Sequence, residues 1–437
     1  MKTNNKIHRI NIVTLGCSKN IVDTEVLGAQ LKDAGIEIVY DSNENNERTV
    51  IINTCGFVND AKEESINTIL QYVGEKIAGR IDQLYVMGCL VERFKKDLKN
   101  EIPEVDQYFG VNNINEILQS LQVDYKVNLL GERLLSTPVH YAYLKISEGC
   151  NRRCSFCAIP SIRGKHISEP IVKLVLEAKK LAAKGVKELN LIAQDLTYYG
   201  KDIDKTYHID KLLNDLEEIE GIEWIRLHYA FPSDFPLELL DIMAKSEKIC
   251  KYLDIPFQHI SDKILKSMRR GISKAKTIQL IETIRNKVPG IALRTTLMTG
   301  FPGETAKEFA ELNRFVEEQK FERLGIFTYS EEEGTYAAKA FEDNVSQKIK
   351  EGRAKQIIEK QSQISLDHNL KKVGTTLKTL IDRIEGEYFI GRTEFDSPDV
   401  DNEVLIPNSE KLNIGQFFQI KIIKASEYEL YGTNEIA

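Results

Sequence analysis

The sequence predicts an α/β chain in three parts. A parallel α/β domain is expected over 8–120 and a partial (β/α) barrel over 136–343. A linking helix over 344–371 leads to a small all-β barrel over 372–437. Three observations predict this. Short β-rich runs alternate with helical stretches in the first part, which means a parallel sheet with crossover helices. Strand-then-helix units recur through the second, the pattern of a barrel or partial barrel. From about residue 372 short strands follow one another with turn residues and no helical pattern between them, as in an OB-sized module.

In the first part, "INIVTL" (10–15), "EIVY" (37–40), "TVIIN" (49–53) and "QLYVM" (83–87) read as buried strands. "TEVLGAQLKDAG" (24–35) reads as a helix stopped by Gly35, and "DAKEESINTILQYVGEKI" (60–77) as another. In the second part the strands are "AYLKIS" (142–147), "ELNLIA" (188–193), "WIRLHY" (224–229), "YLDIPF" (252–257), "ALRTTLMT" (292–299) and "RLGIFTY" (323–329). Helical patterns at 171–185, 208–219, 236–247, 274–288 and 305–319 separate them. The last part reads as "TLKTLIDRI", "EYFIGRT", "NEVLIP", "QFFQIKIIKA" and "YELYGT".

A chain of 437 residues exceeds one ordinary core, and 42% apolar with 29% charged residues suits a globular protein. No apolar run reaches the roughly 18 residues of a membrane helix, so no membrane partner is expected. The opening "MKTNNKIHR" is polar and lacks the apolar core of a secretory signal. A cytoplasmic location follows as the expectation. There, seven cysteines should be thiols or metal ligands and not a disulfide framework. The net charge of −7 excludes non-specific attraction to nucleic acid and favours a basic partner.

"EGCNRRCSFC" (148–157) places Cys150, Cys154 and Cys157 within eight residues, directly after the first strand of the second part. A closed structural metal site takes four protein ligands. Three thiolates on a four-iron cluster leave one iron open for a small molecule. A zinc knuckle is the alternative, with His166 as the only local fourth ligand. Cys17, Cys55 and Cys89 stand in "TLGCSKN", "INTCGFV" and "VMGCLVE", each just after a predicted strand. In a parallel sheet such ends share one edge, where ligands commonly bind. The ligand expected there is a second iron–sulfur cluster. The alternative is three buried core cysteines, since free Cys packs as a small apolar residue. Cys250, in "SEKICKYLDI", is expected at a helix end as packing.

The cysteine spacing, with Phe156 before the last cysteine, resembles the signature of the radical S-adenosylmethionine (SAM) superfamily. Together with the three-cysteine first domain and the β module, the chain resembles the methylthiotransferases over nearly its whole length. The resemblance implies a methylthiotransferase domain with an auxiliary 4Fe-4S cluster on Cys17, Cys55 and Cys89, and a radical-SAM barrel with a 4Fe-4S cluster on Cys150, Cys154 and Cys157. It implies a C-terminal TRAM barrel, and SAM as both methyl donor and radical source. Ala193, Gln194 and Asp195 occupy the place of the superfamily's Gly-Gly-Glu-like motif for the SAM amino group, from which they depart. An ordinary turn with Asp195 as N-cap is the alternative. "CAIPSIRGKH" with Arg163, "DIPFQHIS" with Gln258 and His259, "MRRG" and "GFPGET" resemble barrel segments that face SAM or the cavity. No catalytic residue beyond the cluster ligands is implied.

The family divides between transfer-RNA enzymes and enzymes of a ribosomal-protein aspartate. "LGCSKNIVDTE" (15–25) resembles the ribosomal-protein type, as does the acidic loop "GRTEFDSPDVDNEV" (391–404). Glu394, Asp396, Asp399, Asp401 and Glu403 of that loop are expected to bind substrate. Residues 371–437 carry 8 Lys+Arg against 12 Asp+Glu, which suits a basic small-subunit ribosomal protein and not RNA. A solvated acidic face is the alternative reading. The implied reaction places a methylthio group on an aspartate β-carbon of small-subunit protein twelve, with flavodoxin or ferredoxin as electron donor. A transfer-RNA adenosine methylthiotransferase, an iron–sulfur electron carrier and a zinc-stabilised binding protein stay open.

Overall fold

The computed structural model describes residues 8–42 and 47–434. The chain separates into two compact units. Unit 1 comprises residues up to 137 with 143–151 and 158–181, and unit 2 comprises 138–142, 152–157 and 182 onward.

Unit 1 is built on a five-stranded parallel sheet, β1 (Arg9–Thr14), β2 (Glu37–Tyr40), β3 (Thr49–Thr54), β4 (Gln83–Gly88) and β5 (Gln107–Phe109), in the order β2-β1-β3-β4-β5. Helices Ser18–Asp33, Asn59–Ile77 and Cys89–Glu101 make the crossovers. Val13, Val50, Ile52, Val86 and Ile69 pack on one face of the sheet, and Ile10, Ile12, Ile51, Leu27 and Leu31 on the other. Strands buried on both faces read as continuous apolar runs, which is why "TVIIN" could be recognised. Registers Thr14↔Asn53 and Thr54↔Gly88 bring the C-terminal ends of β1, β3 and β4 level.

The strand β6 (Tyr141–Lys145) opens in unit 2, on the edge of a six-stranded sheet. Short strands β7 (Ser147–Glu148) and β8 (Ile167–Ser168) pair in unit 1. Sheet two continues with β9 (Glu188–Ile192), β10 (Trp224–Leu227), β11 (Ile249–Asp254), β12 (Ala292–Thr299) and β13 (Arg323–Thr328), in the order β13-β12-β11-β10-β9-β6. The pairs from β9 to β13 are parallel, so this is an open, partial barrel. Helix Gln347–Leu370 follows. β14 (Thr376–Glu385), β15 (Tyr388–Thr393), β16 (Glu403–Pro407), β17 (Phe417–Ala425) and β18 (Glu429–Asn434) close a barrel in the order β14-β15-β16-β18-β17. Ile381, Val404, Ile406, Ile420, Ile422 and Leu430 fill it. No helix among the described residues is long and apolar enough to cross a membrane.

Two expectations change here. Cys250 lies on strand β11, not at a helix end, and packs buried beside Trp224 and Tyr252. The acidic loop after β15 is in large part internal. Asp396 is fully buried and accepts from Arg323 Nε at 3.0 Å, and Asp401 accepts from Arg294 Nε at 3.2 Å and Tyr252 Oη at 2.8 Å. Glu394 accepts the Lys251 amide at 3.1 Å, and Glu403 pairs with Arg383 at 2.8 Å. A buried carboxylate needs a partner, and arginines of the partial barrel supply it. Asp396 and Asp401 are therefore corrected from a substrate surface to structural ion pairs. Asp399 remains exposed on the loop.

Candidate iron–sulfur and SAM site

Cys55 and Cys89 directly follow the level ends of β3 and β4, Cys17 follows that of β1 after Leu15 and Gly16, and the three loops meet. A Cβ on Gly16 would stand 2.5 Å from Cys55 Cβ, and one on Gly56 2.7 Å from the Leu90 backbone, next to Cys89. Only glycine permits approaches this close. Ser65 closes the turn at Cys55, accepting its amide at 3.1 Å and donating to its carbonyl at 3.0 Å. Cys17 is the N-cap of helix Ser18–Asp33 and Cys89 the first residue of helix Cys89–Glu101. The positive ends of both helices favour thiolate at those positions.

Burial works the other way. It raises the Cys55 thiol, and it pushes the Cys89 thiol up to about 12. Each thiol also feels its neighbours, Cys17 raising both, while Arg163 pulls both down. Convergent thiols, two of them buried, fit an inorganic cluster, because metal coordination deprotonates a thiol that burial would keep neutral, and the adjacent guanidinium offsets the thiolate charge. Among the described residues no three His, Cys, Asp or Glu groups gather tightly enough to hold a single metal ion. A four-iron cluster makes a different demand, one thiolate per corner.

Of the second trio, Cys150 lies in unit 1, its amide donating to Gly164 O at 3.1 Å. Cys154 and Cys157 lie in unit 2, where the Cys157 amide donates to Cys154 O at 3.2 Å. Arg270 Nη1 donates to Cys154 Sγ at 3.1 Å, and its guanidinium lies 4.1 Å from the Phe231 ring centroid. Ser155 anchors the loop, donating to Met268 O at 3.0 Å and accepting from the Ala337 amide at 2.7 Å. Phe156 packs among Ile264, Met268, Phe301 and Tyr329, which makes it an apolar anchor of the loop.

Other anticipated residues stand at the C-terminal ends of the parallel strands, the functional edge of a barrel. Ala193, Gln194 and Asp195 follow β9. Asp195 is buried, accepting from Arg152 Nε at 2.6 Å and Thr197 Oγ1 at 2.6 Å. Arg152 also donates to Ser233 O at 3.2 Å and lies over Phe231. Gln258, at φ 71°, exchanges backbone hydrogen bonds with Thr296 and Met298. His259 is buried with Nε2 3.3 Å from Glu304, whose carboxylate accepts the Gly300 amide at 3.0 Å and Arg353 Nη1 at 2.6 Å. That carboxylate organises "GFPGET". His166, just before β8, bonds Ser168 at 3.2 Å. Arg163, in unit 1, is placed against the first trio through Asn20. Sequence reasoning passed over Asn20, Glu148, Arg152 and Arg270, although all lie inside motifs it quoted.

The fold and the thiols define the class: a radical-SAM barrel chain with a second three-cysteine edge and a C-terminal β module. Residues 144–316 match the Radical SAM superfamily, 373–434 the TRAM domain, and 9–110 the uncharacterized protein family UPF0004. The chain is 56% identical to the ribosomal protein uS12 methylthiotransferase RimO of Flavobacterium johnsoniae over 98% of both chains. It is 55% identical to that of Christiangramia forsetii (98% of this chain, 94% of that one) and 52% to that of Bacteroides fragilis (97% and 98%). The chain belongs to the RimO family of radical SAM methylthiotransferases. Its fold is also that of the radical SAM methyltransferase TsrM from Kitasatospora setae, with a TM-score of 0.54 at 15% identity over 74% of this chain and 72% of that one.

Proposed function

We propose that this chain methylthiolates the β-carbon of an aspartate in ribosomal protein uS12, using two 4Fe-4S clusters and SAM. The observation that carries the two-cluster part is the convergence of Cys17, Cys55 and Cys89 at one sheet edge, apart in sequence from the radical-SAM motif. When bound, the barrel cluster supplies the electron that cleaves SAM, and the auxiliary cluster carries the sulfur. Cys150, Cys154 and Cys157 would hold the first, and Cys17, Cys55 and Cys89 the second. Each trio would supply three thiolates to its cluster.

The protein's own work is orientation and exclusion of water. An aspartate β-carbon offers no readily removed proton for polar acid–base catalysis. Proximity of the attacked carbon to the sulfur then decides capture. Arg270 fixes Cys154, and Arg152 fixes Asp195 beside Phe231. Ala193, Gln194, Asp195 and Gln258 are the proposed SAM neighbours, and Asp399 with Glu403 the proposed contacts of the acidic loop with a basic ribosomal protein. An electron donor such as flavodoxin or ferredoxin, and a cytoplasmic setting, complete the reading. The division 8–120, 136–343, 344–371 and 372–437 assigns these roles to domains.

Mass spectrometry of uS12 and of transfer RNA from cells lacking this chain tests the proposal. Loss of a methylthio group from uS12 is expected. Intact uS12 with loss from transfer RNA would transfer the activity to the nucleic-acid branch.

A further inference from the structure

A buried cation, Arg163, stands between the first thiol set and Cys150 within unit 1. Asn20 is fully buried where the first three loops converge. Its Nδ2 donates to Leu15 O at 2.8 Å and Thr54 O at 3.1 Å, just before Cys17 and Cys55. Its Oδ1 accepts from Arg163 Nη2 at 2.7 Å. Arg163 Nη1 donates to Asp23 at 3.1 Å and to Glu148 at 3.1 Å. Lys145 pairs with the same two carboxylates. Lys145, Arg163, Asp23 and Glu148 thus balance one another, and Arg163 is the cation of the four that acts on Cys89 and Cys17. The adjoining Gly164 carbonyl holds the amide of Cys150. Neighbouring residues therefore grip the first thiol set by side chain and Cys150 by backbone.

We infer that Arg163 is a positioning residue that sets the geometry and the electrostatic potential of the auxiliary thiol site and ties it to Cys150. The inference rests on the two-cluster reading. Three thiolates gathered out of water repel one another and need compensating charge. Helix N-termini serve Cys17 and Cys89. Arginine alone offers a planar fork that can satisfy Asn20, Asp23 and Glu148 together and remain charged.

The test uses the full chain with Cys150, Cys154 and Cys157 replaced by Ala, reconstituted with iron and sulfide without oxygen, so that only the auxiliary site can load. Into it go Arg163→Met and, separately, Asp23→Asn. Iron per chain and the midpoint potential by EPR-monitored titration are read. Removing the cation should shift the potential to more negative values, and removing the adjacent anion should shift it to more positive values. Opposite signs are the electrostatic signature that a purely structural role does not produce. If Arg163→Met loses its iron, Asp23→Asn still decides. An unmoved potential in Asp23→Asn, or shifts of the same sign in both, overturns the inference. A background that takes up no iron removes the two-cluster reading itself, and the inference with it.

Discussion

Replacing Arg323 with Met tests whether the acidic loop is structural. Arg323 and Asp396 are both buried, and Arg323 Nε lies 3.0 Å from the Asp396 carboxylate. Burial pushes that carboxyl up, but Arg323 first and then Lys372 outweigh it and hold it below the usual range. Deleting one partner of a buried pair strands the other charge and costs about 3–5 kcal/mol. The chain has one tryptophan, Trp224, whose ring sits 4.7 Å from Phe417 of the closed barrel, edge to face. Its fluorescence reports the packing of that barrel on the parallel sheet. With a urea m-value of about 3 kcal/mol per M, the Trp224 transition should move down by about 1–1.7 M. The double variant Arg323→Met with Asp396→Leu should recover most of the loss, because apolar replacement of a whole buried pair is close to neutral. An unmoved midpoint in Arg323→Met would refute the structural assignment and return Asp396 to a recognition role.

Four further outcomes follow from the thiol sites and the buried ion pairs. Ala at Cys150, Cys154 or Cys157 should abolish deoxyadenosine release from SAM. Ala at Cys17, Cys55 or Cys89 should preserve some release and stop methylthio transfer; full transfer there would contradict a sulfur-carrying role. Asn20→Ala unties the strand-end carbonyls before Cys17 and Cys55, and iron should fall from about eight toward about four per chain. Iron at the parent level would contradict the clamp. Glu188, Asp382 and Asp396 are all held below ordinary carboxylate values, since their arginine partners outweigh the effect of burial. Their contribution is complete above about pH 4 and is lost as pH falls through their lowered values. Acid should therefore loosen the Trp224 environment below about pH 4, and Arg323→Met should flatten that dependence; an equal slope in both proteins would count against it.

The parallel architecture could be read because its strands are buried on both faces and appear as apolar runs. Cys17, Cys55 and Cys89 stood out for the same reason, since each comes shortly after such a run, whereas Cys150, Cys154 and Cys157 stood out by their close spacing. Helix Ser18–Asp33 begins six residues before the expected start. Asn20 and Asp23 look like loop residues in sequence, yet they turn inward to the thiols and to Arg163. β5 has only three residues, too short to show alternation. Cys250 was misplaced because Lys248 and Lys251 flank it, and the polar pair hides the start of β11. The acidic loop misled most. Its partners, Arg294 and Arg323, lie 107 and 73 residues away in sequence, and no local pattern announces such a pairing. Part of the module's negative excess is consumed internally, so charge alone is a weaker argument against RNA than composition suggested.

Iron-57 Mössbauer spectroscopy with iron quantification on three anaerobic proteins tests the central claim most directly: the parent, the variant lacking Cys17, Cys55 and Cys89, and the variant lacking Cys150, Cys154 and Cys157. The account predicts a four-iron spectrum in all three and half the parent's iron in each variant. Full iron in either variant, or none in one of them with the fold intact, would contradict two independent three-thiolate centres.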